Sequence, residues 1–128
     1  MQTQKRAILL LRSETGNSED FMQQRKSFSK ILEKLELNVI KTIESYGKSE
    51  TYSVYSIALS SIRRHAVWRD YEYLLVPTIN IFGRTPIEIT EEIKFFENNG
   101  VKVISLSEGE ISVENLPLVF RRQFKVIK

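Results

Sequence analysis

The residue types that could carry out chemistry are unevenly supplied in this chain of 128 residues. It contains no cysteine, which excludes disulfides, thiolate zinc sites and cysteine nucleophiles and favours a reducing compartment. His65 is the single histidine, so we expect no metal site and no cofactor. Any chemistry must therefore use arginine, lysine, carboxylate and hydroxyl groups.

Positive charge is concentrated in two parts of the sequence. The net charge is +3, and the segment from Arg121 to Lys128 carries +4 without an acid, so the remainder sums to −1. Such groups fit nucleic acid or other anionic partners, and they equally fit a solvated surface. A second basic group lies at the end of a predicted helix. The candidate nucleic-acid contacts from both groups are Arg63, Arg64, Arg69, Arg121, Arg122 and Lys125.

Short apolar runs alternate with amphipathic segments along the chain. The run at residues 7–11 is continuously apolar, as in a strand buried on both faces of a parallel sheet. Residues 38–43, 73–77 and 101–104 are the further predicted strands. Strands that alternate with helices predict an α/β fold in three layers, with a mostly parallel sheet and helices on both faces.

Three helices are predicted between these strands. The first follows Ser18, which we expect to cap it, and the second covers residues 52–67. The third has the strongest local signal, because Thr85, Pro86 and Glu88 combine an N-cap, a proline at the first helical position and a capping box.

The C-terminal part of the chain is ambiguous at the level of sequence. Residues 111–113 and 118–126 each fit a strand or a short helix, with Pro117 between them. We predict one domain over residues 1–116, and a basic, apolar tail over residues 117–128 that packs on the domain or extends it.

Residues 5–15 (KRAILLLRSET) resemble the first strand of resolvase/invertase-type serine recombinases, whose motif ends Y-x-R-x-S-T. Arg12 and Thr15 match this motif, and Glu14 stands where the family has its nucleophilic serine. Gln23 lies at the spacing of a family glutamine on the first helix, and residues 47–49 are similar to the S-G-K/S loop after the second strand.

Two later blocks extend the resemblance to about residues 5–112. Residues 73–84 (YLLVPTINIFGR) look like the strand that leads into D-R-L-x-R, with Gly83 and Arg84 retained and Asn80-Ile81 in place of D-R. Residues 93–109 are similar to the family's helix, Gly-Val turn and strand ending in an S-L-x-E-G-like segment. The resemblance implies the recombinase catalytic domain, with a flavodoxin-like or resolvase-like layer order.

The departures from the motif concern the chemistry that the resemblance implies. Serine recombinases attack a DNA phosphodiester with a serine hydroxyl and form a phosphoseryl link. Glu14 would remove that nucleophile and repel the substrate, because the transition state spreads negative charge over the phosphoryl oxygens. A further family arginine has no counterpart in residues 56–59. The vestigial pocket implied by the resemblance consists of Arg12, Ser13, Glu14, Gln23, Asn80 and Arg84.

The leading hypothesis is therefore a resolvase-like domain that has lost DNA strand transfer and acts as a binding or regulatory protein, with no catalytic residue assigned. The alternative is a recombinase-type enzyme with residual or unusual DNA cleavage and rejoining, in which Ser13 is the nucleophile. Successive strand residues point to opposite faces, so Ser13 would project away from Arg12, which favours a structural role for Ser13. A third hypothesis is a non-specific DNA-associated protein.

The expected ligand pocket lies at the carboxyl ends of the strands, where Arg12 and Arg84 would favour anions and Glu14 would oppose them. The partners we consider are DNA, another protein, and a second copy of the chain bound through the apolar residues of the tail. An N-terminal apolar run of five residues is too short for a signal sequence or a membrane span, so we expect a cytoplasmic protein.

Overall fold

The computed structural model describes residues 4–46 and 57–123. Outside these ranges lie the predicted loop at residues 47–49, the first part of the predicted second helix, Lys125, Lys128 and the apolar residues 124, 126 and 127 of the tail.

In the part of the chain that the structure describes, five strands form one sheet in the order β2-β1-β3-β4-β5. All neighbouring pairs are parallel except β4 and β5, which are antiparallel. This is the 2-1-3-4-5 order of flavodoxin-like folds, and the predicted fold class is confirmed. The strands are β1 (Arg6–Ser13), β2 (Asn38–Tyr46), β3 (Tyr73–Val76), β4 (Lys102–Ser105) and β5 (Gly109–Ile111).

Within the described residues, four helices cover the two faces of this sheet. They are α1 (Ser18–Leu35), α2 (Ile57–Val67), α3 (Pro86–Asn98) and α4 (Leu116–Gln123), and a 3-10 turn (Ile79–Phe82) follows β3. α1 packs on one face, and α2, α3 and α4 share a core with the other face.

The continuous apolar run of β1 is explained by this arrangement. Ile8 and Leu10 point into the core beneath α2 and α3, whereas Ala7, Leu9 and Leu11 point toward α1. All five are buried, as expected for a central strand of a parallel sheet.

The ends of the helices confirm one prediction and correct another. Thr85 and Glu88 form the predicted capping box of α3, with Pro86 in its first turn. The N-cap of α1 is Asn17, whose side chain accepts a hydrogen bond from the Glu19 N–H, so the prediction that Ser18 caps this helix is wrong by one residue. Ser18 is instead the first residue inside the helix.

The ambiguous C-terminal part divides into a strand and a helix. β5 adds an antiparallel edge to the sheet, and α4 begins at Leu116, so Pro117 does not separate two elements but lies in the first turn of a helix, where a missing N–H is tolerated. Leu116 and Val119 are buried in the core beside α3. The predicted boundary between the domain and the tail, at residues 116 and 117, therefore lies inside α4.

Candidate functional site

A cleft of about 960 Å³ opens where β1 and β3 end. Parallel strands bring their carboxyl ends to the same edge of the sheet, and the N-terminal turn of α1 and the 3-10 turn form the two sides. The residues that line it are Arg12, Ser13, Glu14, Thr15, Asn17, Glu19, Asp20, Gln23, Gln24, Thr78, Asn80 and Ile81.

The Ser13 hydroxyl is buried and fully engaged in local hydrogen bonds. Ser13 is the last residue of β1 and is 3% exposed. Its hydroxyl donates to Asp20 Oδ2 at 2.8 Å and accepts from the backbone N–H groups of Thr15 at 3.3 Å and Gly16 at 3.0 Å. These bonds tie the end of β1 to the first turn of α1.

Arg12 is held in place through its backbone by a glutamine side chain. The Arg12 N–H donates to Gln24 Oε1 at 2.8 Å, and Gln24 Nε2 donates to the Arg12 carbonyl at 2.6 Å. β1 pairs with β3 from Ala7 to Leu9, so the Gln24 amide occupies the place of a neighbouring strand at Arg12. The Arg12 guanidinium also donates to the Ser13 carbonyl at 3.2 Å.

Gln24 is a site residue that the sequence analysis missed. Gln23, which was predicted from its spacing, directly precedes Gln24 on α1 and lies exposed in the cleft. The two glutamines differ only in which side chain reaches the end of β1, and the sequence pattern does not indicate which one that is.

Carboxylates outnumber cationic groups in the lining of the cleft. Glu14 is exposed directly after β1, and Glu19 and Asp20 lie in the first turn of α1. Arg12 is the single cationic residue among those that line the cleft. This balance of charge does not favour a phosphate group.

The opposite side of the cleft is the 3-10 turn after β3. The Thr78 hydroxyl accepts from the Asn80 N–H at 3.4 Å, and Glu108 fixes the turn by accepting from Thr78 Oγ1 and the Ile79 N–H, each at 3.1 Å. Asn80 is exposed to the cleft, whereas Ile81 is 4% exposed and packs in the core. Glu108 belongs to the S-L-x-E-G-like segment but was not selected from sequence.

Five of the six predicted pocket residues line the cleft, and Arg84 is not among its lining residues. The Arg84 backbone N–H donates to Glu88 Oε1 at 2.7 Å, next to the capping box of α3. Arg84 thus lies just before α3, and its expected contribution of positive charge to the pocket stays a prediction.

The five predicted nucleic-acid contacts that the structure describes lie outside the cleft and differ in exposure. Arg64 and Arg69 are exposed near the end of α2, and Arg121 and Arg122 are exposed on α4. Arg63 is half-buried in an ion pair with Glu92 of α3, so its guanidinium is less available to a nucleic acid than those of the exposed arginines.

Two ring-bearing residues lie near the end of α2. His65 is half-buried, with its Nδ1 2.7 Å from Asp70 Oδ2. Trp68 is 60% exposed and lies edge-on to His65.

Within residues 4–46 and 57–123, no group of three histidine, cysteine or carboxylate side chains is arranged to hold a metal ion. The helices in this described part of the chain include none with the length and apolar character that crossing a membrane requires.

No protein-family model matches this sequence. No curated protein matches it significantly.

Solved structures nevertheless share its fold. The N-terminal catalytic domain of TP901-1 integrase has 20% identity and a TM-score of 0.71, over 95% of this chain and 100% of that chain. A resolvase family site-specific recombinase from Streptococcus pneumoniae has 14% identity and a TM-score of 0.71, over 95% and 89%. The C-terminal catalytic domain of ISC1926 TnpA, an IS607-like serine recombinase, has 16% identity and a TM-score of 0.66, over 79% and 68%.

The chain therefore has the fold of serine recombinase catalytic domains, and the resemblance found in the sequence is confirmed at the level of the fold.

Proposed function

We propose that this chain is a serine-recombinase-like domain that does not transfer DNA strands and acts as a binding or regulatory protein. The observation that carries the proposal is the exposed Glu14 carboxylate in the cleft, at the position where the resemblance places a nucleophilic serine. A carboxylate there supplies no hydroxyl for attack and repels the phosphodiester.

The surroundings of Ser13 argue against a replacement nucleophile. A hydroxyl that attacks a phosphodiester must reach the phosphorus, and the Ser13 side chain is 3% exposed. Its proton is already donated to Asp20, and its oxygen accepts two backbone N–H groups. Attack by Ser13 would require these bonds to break and the start of α1 to move.

The opposite side of the cleft has also lost the groups that the resemblance implies. Asn80 and Ile81 replace an aspartate and an arginine there, and the Ile81 side chain is packed in the core. The cleft thus lacks the additional guanidinium that would stabilise a phosphoryl transition state.

A plasmid assay tests the loss of activity. The protein is incubated with supercoiled DNA, and the DNA is examined for nicks and covalently attached protein. We expect no covalent product from the wild type or from Glu14→Ser, because Asn80 and Ile81 still differ from the family site. Glu91→Ser, which changes an exposed glutamate of α3, is the matched control. A wild-type product that Ser13→Ala abolishes would overturn the proposal and establish the enzymatic alternative.

A second candidate function is non-specific DNA association. It is favoured by the exposed arginines Arg64, Arg69, Arg121 and Arg122, which are spread over α2, α4 and the turn after α2. Affinity should then fall with salt with a log-log slope of about −0.9 per phosphate engaged. Charge neutralisation of Arg121 and Arg122 should reduce that slope, and no binding near 50 mM salt would end this candidate.

The assembly and location of the protein remain predictions. Leu118 is 52% exposed on α4, which is consistent with the predicted homodimer. Light scattering of the wild type and of Leu118→Glu would test it, because a dimer that uses this face should dissociate in the variant. Cell fractionation would test the expected cytoplasmic location.

A further inference from the structure

Glu92 is a carboxylate buried on the core-facing side of α3. It is 4% exposed and lies among the buried residues Ile89, Ile93 and Phe96 of the same helix. Its Oε2 accepts a hydrogen bond from Arg63 Nη1 at 3.0 Å. Its Oε1 is also buried and has no hydrogen-bond partner among the described residues. An ionised carboxylate with only one oxygen satisfied is costly in such surroundings.

Arg63 reaches this carboxylate from α2. Its guanidinium carbon lies 4.5 Å from the centroid of the Phe95 ring, so the same side chain contacts α3 through an ion pair and through an aromatic face. The Arg63 side chain is 36% exposed, and its guanidinium therefore has a route to water if the ion pair is lost.

The charge state of Glu92 decides whether this contact is ionic. Burial raises the pKa of Glu92, and the smaller attraction of Arg63 opposes that rise. Arg63 is the charged group that acts on Glu92 among the described residues, and the neighbouring acids of α3, Glu88 and Glu91, are exposed. Glu92 therefore takes up a proton at a higher pH than an exposed glutamate, whose pKa is about 4.3.

Protonation has opposite effects on the whole fold and on this contact. A folded-state pKa raised above the unfolded value gives stability that is present below the unfolded pKa and is lost as pH rises through the folded pKa. Acidification through this range relieves the buried charge, so the titration of Glu92 does not destabilise the fold. It does remove the negative charge that holds Arg63.

We propose that Glu92 and Arg63 form a proton-controlled latch between α3 and α2. With Glu92 ionised, the ion pair and the Phe95 contact fix α2 against α3. With Glu92 protonated, the half-exposed guanidinium turns toward water, α2 is less restrained, and this face of the protein becomes more positive. The released guanidinium is then available to an anionic ligand.

A pH titration of the wild type followed by NMR tests the latch. The Glu92 carboxyl carbon gives the protonation midpoint, the Arg63 Nε signal reports its contact, and hydrogen exchange of the α2 amides reports the restraint. We expect all three to change with one midpoint, above that of an exposed glutamate. After correction for the intrinsic pH dependence, α2 exchange should rise roughly tenfold, as expected for the loss of one charged hydrogen bond.

Two variants separate the latch from a general effect of acid. Glu92→Gln removes the charge at every pH, so Arg63 should give the released signal at neutral pH and α2 exchange should lose its titration. Glu91→Gln removes the adjacent exposed charge and should behave like the wild type.

The proposal is overturned if Arg63 and α2 do not change through the Glu92 midpoint. It is equally overturned if a folded Glu92→Gln protein matches the wild type at neutral pH. If that variant does not fold, the wild-type titration decides alone.

Discussion

Replacing Ser13 with alanine distinguishes a structural hydroxyl from a nucleophile. The substitution removes one donor and one acceptor from a side chain that is 3% exposed. The Thr15 and Gly16 N–H groups, which donate to Ser13 Oγ at 3.3 and 3.0 Å, lose their acceptor. Asp20 is exposed and can replace the lost bond with water. The cost therefore arises mainly at the two backbone donors.

The magnitude follows from these contacts. A donor left unsatisfied in a buried position costs about 1–3 kcal/mol, and the exposure of Thr15 and the partial exposure of Gly16 place each donor near the lower end of that range. We expect Ser13→Ala to lower the free energy of unfolding by about 2 kcal/mol. For a domain of this size that corresponds to a fall in Tm of roughly 8 °C. Thermal and urea unfolding followed by circular dichroism measure both quantities.

The matched control is Ser18→Ala, five residues further along the chain. Ser18 is exposed at the start of α1, and its substitution should change stability by no more than about 0.5 kcal/mol. If Ser13→Ala were as stable as this control, the hydrogen bonds assigned to Ser13 would not contribute, and the argument that they withhold the hydroxyl from chemistry would fail.

Three further substitutions test how the cleft is built. Asn17→Ala should lower the stability by about 1 kcal/mol in urea unfolding, because it removes the N-cap of α1; an equal loss in Ser18→Ala would reassign the cap. Gln24→Ala should lower the stability by about 1–2 kcal/mol and speed hydrogen exchange at the Arg12 amide, because it removes both hydrogen bonds to the Arg12 backbone. Gln23→Ala, at the exposed neighbouring position, should have neither effect. Gly83→Ala would place a Cβ 2.5 Å from the Glu88 Cβ and should cost about 1–3 kcal/mol in thermal unfolding; an unchanged Tm would show that the turn before α3 can move aside.

The order of strands and helices could be predicted because the spacing of apolar residues reflects which faces of each strand or helix are buried. The residues of β1 are apolar at every position since both faces of the strand are covered. The Thr85 capping box was equally readable because its bonds join residues three apart in sequence. The resemblance to the recombinase motif placed Glu14 just after the first strand, where the cleft opens.

Features that depend on contacts distant in sequence could not be predicted. Gln23 and Gln24 are the same residue type at adjacent positions, and only the three-dimensional course of α1 decides which amide meets β1. The ion pair between Glu92 and Arg63 joins two helices that a strand separates in sequence. The local sequence around each residue therefore did not indicate that Glu92 is buried or that Arg63 is its partner. α4 was ambiguous because proline is compatible with both the first turn of a helix and a break between elements.

The departures in the cleft are coupled by the fold rather than independent. The difference at Glu14 could be removed by one substitution, Glu14→Ser, which would place a hydroxyl directly after β1. The difference at Ile81 could not be removed by a single substitution, because the Ile81 side chain is packed in the core. An arginine at this position would bury a charge or unpack the 3-10 turn. Under the proposed function, a serine at position 14 would therefore still face a side of the cleft that has no guanidinium among its lining residues. Under the proposed function, this is why we expect Glu14→Ser to remain inactive.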